Sequence, residues 1–229
     1  VNTPLGISVT AVTHCEHRLK KLKQAFTEGS ISKKQLNQFI DDTFEAYTLL
    51  NNNLERAATL IQNFKKTAVD QSSFELVECE LKNYLHALTL SLKPMVKKKK
   101  VSIDIRCDEA TTLRTYQGAL AQIVTNLISN TNEHAFVEPN DKHRILISAE
   151  PEKDGVQFVF SDNGKGIDGD TLKDIFEPFF TTSRHNGGSG LGLSIVYNLV
   201  TQKLKGEISV QSTPGEGTEF SFYLPNLQK

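Results

Sequence analysis

The sequence predicts an α+β chain in two parts: a two-helix hairpin over residues 1–70, then an α/β sandwich over residues 71–229. Three observations predict it. Glycine stands only at Gly6 and Gly29 in the first third, then twelve times from Gly118 onward. The apolar side of the early region repeats at alternating steps of four and three residues. From residue 74 onward, short period-two segments alternate with helical ones, the pattern of one sheet with helices on one face.

The repeat runs through Leu36, Ile40, Thr43, Tyr47, Leu50, Leu54, Ala57, Ile61 and Phe64. It is a heptad seam, with one polar threonine in it. At ~1.5 Å per residue the helix that carries it would be on the order of 45–50 Å long. Before Gly29-Ser30, the residues Leu5, Val9, Val12, Leu19, Leu22 and Phe26 form a less regular stripe on another long helix. Such a hairpin cannot enclose its own stripe. A homodimer that completes a four-helix bundle is the economical solution, and packing within the same chain is the alternative.

In the second part, Phe74–Glu78 reads as a strand, followed by a helix that ends near Lys97–Lys100. Residues 101–105 alternate as a strand. A long helix is expected from about Tyr116 to Phe136, then strands at Ile145–Ile147 and Val156–Phe160, with a turn at Lys153-Asp154-Gly155. A helix from Leu191 to about Leu204 precedes two last strands, Ile208–Val210 and Phe220–Leu224. The segment Thr213-Pro214-Gly215-Glu216-Gly217 joins them as a turn. The Lys97–Lys100 run reads as a solvated helix end.

Composition bounds the function classes. The 26 basic and 27 acidic residues leave a formal charge of −1, which argues against a nucleic-acid or membrane-surface binder. The hydrophobic share of 38% suffices for a sizeable core. Cys15, Cys79 and Cys107 form neither an even disulfide framework nor a Cys-x-x-Cys pair, so a reducing compartment is expected. No apolar run approaches the ~18 residues of a membrane span, and no signal peptide is evident. The chain opens on Val1 inside an expected helix and reads as part of something longer.

Four clusters could carry chemistry. In the first, Asn126 and Asn130 lie four residues apart and share one helix face, with Glu133 and His134 just beyond. Carboxamide oxygens are hard ligands that suit Mg²⁺, although paired asparagines on a helix are commonly plain surface polarity. In the second, Asp162-Asn163-Gly164-Lys165-Gly166-Ile167 follows a strand. A carboxylate there can accept from an amino group while the glycines let the backbone approach a flat ligand. The third, Phe176-Glu177-Pro178-Phe179-Phe180-Thr181-Thr182, reads as packing or a hinge. The fourth, Gly187-Gly188-Ser189-Gly190-Leu191-Gly192, opens a helix and could offer backbone N–H groups to phosphates. It is not a Walker loop, because no Gly-Lys-Ser/Thr follows.

In this order the four clusters resemble the N, G1, F and G2 boxes of the GHKL ATPase superfamily, and specifically the ATP-binding domain of sensor histidine kinases. Pro214-Gly215-Glu216-Gly217-Thr218 resembles the family's last glycine motif. Val1-Asn2-Thr3-Pro4-Leu5-Gly6 looks like the continuation of its H-box, so the phosphoacceptor histidine and the neighbouring acid would stand just before Val1. Neither His14 nor His17 fits that position.

The resemblance implies a Bergerat-type fold with a mixed sheet, and a dimerisation and phosphotransfer hairpin ahead of an ATP-binding domain. It implies ATP and Mg²⁺ as cofactors. Asn130 would hold the metal, with Asn126 one turn earlier, and Asp162 would take the adenine amino group. Gly164, Gly166 and Ile167 would turn around the base, and Thr218 would belong to the same pocket. Phe176, Thr181, Thr182, Arg184, Gly188, Ser189, Gly190, Leu191 and Gly192 would belong to the segment near the phosphates. Arg184 would supply the positive charge that Glu133 does not, and His134 would contact phosphate or ribose or serve structure alone. The γ-phosphoryl group would pass to the upstream histidine and then to an aspartate of a response-regulator receiver domain. The fragment itself is then expected not to autophosphorylate. Its expected place is the cytoplasm, as a free protein or as the cytoplasmic part of an inner-membrane receptor, without direct membrane contact. Two rivals are an ATP-hydrolysing GHKL enzyme, whose water-activating glutamate would stand where Asn126 is, and a degenerate dimerisation module.

Overall fold

The computed structural model describes residues 2–69, 75–182 and 189–228, the side chains of residues 2, 3, 56 and 58–69 excepted. The chain divides into two compact units, Val1–Ala68 and Val69–Lys229.

The first unit is a pair of helices, α1 (Asn2–Thr27) and α2 (Lys33–Val69). Gly29 takes the left-handed conformation at φ +66°, which ends α1 where a side chain would be strained. A capping box opens α2. The Gln35 N–H donates to Ser32 Oγ at 3.2 Å, and the Ser32 N–H donates back to Gln35 Oε1 at 2.9 Å. Arg18 of α1 forms an ion pair with Asp42 of α2. Leu36, Ile40, Tyr47 and Leu54 of the heptad seam stay exposed, as do Val9, Val12, Leu19 and Phe26 on α1. The hairpin leaves its apolar stripes uncovered.

The second unit holds β1 (Leu76–Glu80), α3 (Leu81–Val96), β2 (Ser102–Cys107), β3 (Thr112–Tyr116) and α4 (Gln117–Asn130). These are followed by β4 (Arg144–Glu152), β5 (Gly155–Asp162), α5 (Gly169–Leu172), α6 (Gly192–Asn198), β6 (Glu207–Thr213) and β7 (Gly217–Pro225). Five strands make one sheet in the order β2-β4-β5-β7-β6, and β1 pairs with β3 in a small antiparallel sheet. The large sheet is mixed: β2 runs parallel to β4, and the other pairs are antiparallel.

One face of that sheet is apolar because β4, β5 and β7 alternate. Ile145, Ile147, Ala149, Phe158, Phe160, Phe220, Phe222 and Leu224 are buried on it. Leu81 and Leu85 of α3, Leu120, Ile123, Val124, Leu127 and Ile128 of α4, and Val196 of α6 join them in one core. The rings of Phe158 and Phe222, register partners on β5 and β7, stack at 5.0 Å.

Four local expectations need revision. The first strand spans Leu76–Glu80, and Phe74 lies outside the described residues. Strand β3 was not expected: Thr112-Leu113-Arg114-Thr115-Tyr116 is too polar to stand out, and pairing with β1 forms it. The helices α4 and α6 each end in a wider π turn, at Thr131–Ala135 and at Leu199–Lys203. The lysine run is not a plain solvated end. Lys99 extends its ammonium to the carbonyls of Asn132 and Phe136, Lys100 takes a left-handed φ of 57°, and Lys100 Nζ lies 3.2 Å from Asp141 Oδ1.

Candidate functional site

Strand β5 ends on Asp162, and β7 sets Thr218 directly opposite it. The strand's buried alternation puts the Asp162 side chain inside, where only 8% of it is exposed. Its two oxygens are held from different directions. Oδ1 accepts from the Gly164 N–H at 2.8 Å, and Oδ2 accepts from the Thr131 hydroxyl at 3.3 Å. Burial pushes the carboxyl above its ordinary value, and hydrogen bonds from Gly164, Thr131 and the Thr218 backbone pull the other way. A carboxylate has about four acceptor positions, so it retains capacity for a further donor.

The loop after Asp162 is pinned on three sides. Asn163 bonds across to β4, its Oδ1 accepting from the Arg144 N–H at 2.7 Å. The Lys165 N–H donates to the Ala135 carbonyl at 3.0 Å. Gly166 has φ +70°, and a Cβ there would fall 2.1 Å from the Thr213 carbonyl oxygen, so the turn demands glycine. The Ile167 N–H donates to Ser212 Oγ at 2.8 Å, and Ser212 Oγ lies 2.9 Å from Thr218 Oγ1. The G1-like turn, the end of β6 and the start of β7 therefore form one polar seam around Asp162.

Asn126 and Asn130 stand on α4, both part-exposed. The Nδ2 atom of each is buried without a hydrogen-bond partner among the described residues. Buried amide groups are nearly always paired, so two orphans on one helix face mark a place where a ligand or bridging water is owed. Gly192, first residue of α6, closes on the same carboxamide: a Cβ there would lie 3.0 Å from Asn130 Oδ1. The orphaned Nδ2 groups are donors that fit phosphate oxygens, and the carboxamide oxygens are neutral hard donors that fit Mg²⁺, which takes few protein ligands plus phosphates.

Glu133 does not obstruct this. It is exposed, and its Oε1 accepts from the Ser129 hydroxyl at 3.0 Å along the helix. His134 is half-buried. Burial first, then Lys165 and Lys99, hold its imidazole below the ordinary value against the opposing pull of Glu133, so it is neutral at pH 7.

The remaining expected residues divide. Phe176 is partly buried against the core, its ring 5.3 Å from Tyr197 and 6.4 Å from Phe220. The segment after it is tied to the glycine loop by the Phe179 N–H, which donates to the Gly190 carbonyl at 2.8 Å. Phe179 itself takes a left-handed φ of 68°, a costly conformation for an aromatic residue. Ser189 Oγ accepts from the Leu191 N–H at 3.4 Å, and Leu191 leads into α6. Thr181 is half-buried and Thr182 exposed. Arg184 and Gly188 lie outside the described residues.

Sequence reasoning missed Thr131, Ser212 and Lys99. Thr131 and Ser212 supply hydroxyls to the seam. Lys99 clamps the carbonyl end of the π turn that carries His134. A lone threonine or serine gives no periodic signal, and the Lys99 contacts span 33 and 37 residues.

Comparison with known proteins fits this geometry. Residues 115–228 match the family described as "Histidine kinase-, DNA gyrase B-, and HSP90-like ATPase". Through this segment the chain belongs to that ATPase family, and its relatives place it among the sensor histidine kinases of two-component systems. It is 28% identical over 218 residues to the alginate biosynthesis sensor protein KinB of Pseudomonas aeruginosa, covering 94% of this chain and 35% of KinB. It is 31% identical over 201 residues to the sensor kinase CckA of Brucella abortus, covering 82% of this chain and 21% of CckA. The chain thus spans about a third or less of the length of such curated relatives.

Solved structures share the fold. Full-length ShkA, in complex with AMPPNP, matches with a TM-score of 0.61 at 21% identity, over 99% of this chain and 46% of ShkA. The catalytic domain of histidine kinase ThkA matches with a TM-score of 0.58 at 24% identity, over 66% of this chain and 96% of that domain. ThkA in complex with response regulator TrrA gives a TM-score of 0.59 at 19% identity, over 96% of this chain and 59% of ThkA. Among the described residues no helix is long and apolar enough to cross a membrane.

The buried Asp162 carboxyl has a stability consequence. Its pKa is raised on folding, so its contribution is complete below the ordinary aspartate range near ~4 and is lost as pH rises through the raised value. Above that window the charged, desolvated group costs stability. Asp162→Asn keeps an oxygen for the Gly164 N–H, and its gain in melting temperature over the parent should be larger at pH 7.5 than at pH 4. Thermal unfolding at the two pH values measures this. A variant less stable than the parent by the same margin at both would contradict the burial account.

Proposed function

We propose that this chain is the catalytic core of a sensor histidine kinase that binds Mg·ATP in the pocket between α4 and the β5–α5 and α6 entry loops. The observation that carries the proposal is the buried Asp162 carboxylate, held by Gly164 and Thr131 with acceptor capacity left over. A carboxylate reads a 6-amino purine by accepting its N–H. Asn130 would be the metal ligand through its carboxamide oxygen, with Asn126 in the same pocket, and the orphaned Nδ2 groups on one face of α4 would donate to phosphate oxygens. Gly192 and Gly190 would bring backbone close to the phosphates at the entry to α6, and Ser189, Leu191, Thr181, Thr182, Arg184 and Gly188 would complete that side. His134, neutral at pH 7, would meet phosphate or ribose as a hydrogen-bond donor, not a cation.

When bound, Mg²⁺ would neutralise phosphate charge and align the γ-phosphoryl group for transfer. The chain's own part is positioning: the polar seam fixes the base and α4 fixes the carboxamides. In the intact protein the γ-phosphoryl group would go to an H-box histidine ahead of Val1, then to a response-regulator aspartate. The solved ThkA–TrrA complex supports such a partner. Stable acid-labile label on this 229-residue chain after incubation with γ-labelled ATP would overturn that placement of the acceptor.

Residues 1–70 would be the dimerisation and phosphotransfer hairpin, and residues 71–229 the ATP-binding domain. The exposed stripe of Leu36, Ile40, Tyr47 and Leu54 supports self-association. Sedimentation equilibrium should find a dimer, and Ile40→Glu with Leu54→Glu should shift it to monomer while leaving nucleotide binding intact. A parent chain that sediments as a monomer at tens of micromolar would sink the bundle.

Calorimetry tests the nucleotide reading. Mg·ATP should bind in the micromolar range, and Asp162→Asn should lose about tenfold or more of that affinity, the scale of a hydrogen bond to a charged group. Equal binding by parent and variant would remove Asp162 from the site.

A further inference from the structure

We infer that Thr131 is a specificity-determining residue of the purine pocket: its hydroxyl, donating to Asp162 Oδ2, fixes that carboxylate as an acceptor and so favours a 6-amino over a 6-oxo purine. This deepens the nucleotide reading and rests on Asp162 facing the base.

The behaviour of threonine elsewhere in the chain sets Thr131 apart. Thr43, Thr48, Thr89 and Thr201 all turn their hydroxyls back to the carbonyl four residues earlier on their own helix. That local bond is the usual resting place for a helical hydroxyl. Thr131 instead reaches across 31 residues to Asp162, from the first position of the π turn that follows Asn130. It is 4% exposed, so its partner is a protein group and not bulk water. The wider turn places this side chain against the end of β5, and π turns of this kind recur at functional sites.

The bond acts on both the direction and the charge of the carboxylate. The terminal torsion of an aspartate is soft, and one anchor leaves it free to swing. Gly164 holds Oδ1 and Thr131 holds Oδ2, with the Thr218 backbone donating as well, so these bonds together define the plane in which a further N–H must approach. A donated hydroxyl also favours the ionised form, against the burial that favours the protonated one. An ionised Asp162 accepts from a 6-amino group and repels the carbonyl of a 6-oxo purine. Without the hydroxyl, a protonated Asp162 can turn its O–H to that carbonyl. The 3.3 Å separation is long for an O–H···O contact, and such bonds tighten when a ligand fills the site.

The test uses the whole chain and three probes: ATP, inosine triphosphate and purine riboside triphosphate, which carries neither group at position 6. Competition binding is measured on the parent, Thr131→Val and Thr131→Ser, with circular dichroism to verify folding. The preference for ATP over inosine triphosphate should fall about tenfold in Thr131→Val, purine riboside triphosphate should change by less than about twofold, and Thr131→Ser should restore the parent preference. Equal weakening of all three nucleotides, or an unchanged ratio, overturns the inference. If the valine variant does not fold, Thr131→Ala against Thr131→Ser reads the same ratio. A parent chain that binds ATP no better than inosine triphosphate refutes the Asp162 reading itself, a distinct result.

Discussion

A carboxylate taken out of water needs donors, and the second unit is organised around supplying them to Asp162. The Gly164 N–H comes from the turn after β5, and the Thr131 hydroxyl from the end of α4. Together with the Thr218 backbone they oppose the burial of a residue that is only 8% exposed. Each donor then fixes an element. The turn is locked to Asn163 and Gly166, the end of α4 to its π turn, and the Thr218 position to the β5–β7 register. The hydroxyl relay through Ser212 ties the last hairpin to the same centre.

This arrangement also explains why the carboxamides of α4 can afford to be unpaired. Leu120, Ile123, Val124, Leu127 and Ile128 anchor the helix in the core that Phe158 and Phe160 share, so α4 does not depend on the amide bonds. Lys99 closes the far end by donating to the Asn132 and Phe136 carbonyls that the π turn leaves over. Asn126 and Asn130 are thus held on a rigid element with hydrogen-bonding capacity in reserve, the condition for binding a ligand without first breaking internal bonds.

Much of this was legible in the sequence where period or glycine carries the signal. The heptad seam from Leu36, the alternation of Val156–Phe160 and the order of the four clusters pointed to the fold class and the family and singled out Asp162 as a candidate. What escaped is non-periodic or long-range. Strand β3 exists because β1 is there to pair with it. The Lys99 clamp and the Thr131 bond each connect residues more than 30 apart, and the π turns differ from an ordinary helix end by a single hydrogen-bond step. Phe176 was legible as a motif residue, and its ring contacts with Tyr197 and Phe220 are long-range features that the motif alone does not show.

The hairpin presents the opposite balance, with its charged pair Arg18–Asp42 satisfied between α1 and α2 and its large apolar side chains outside. Self-association is proposed for the hairpin and a small polyanionic ligand for the second unit. The central claim concerns that ligand, and a crystal structure of this chain with Mg²⁺ and a non-hydrolysable ATP analogue tests it most directly. The account predicts the adenine amino nitrogen within about 3 Å of an Asp162 carboxylate oxygen and the Asn130 carboxamide oxygen on the metal. An analogue bound with its base away from Asp162, or a metal held without Asn130, would contradict it.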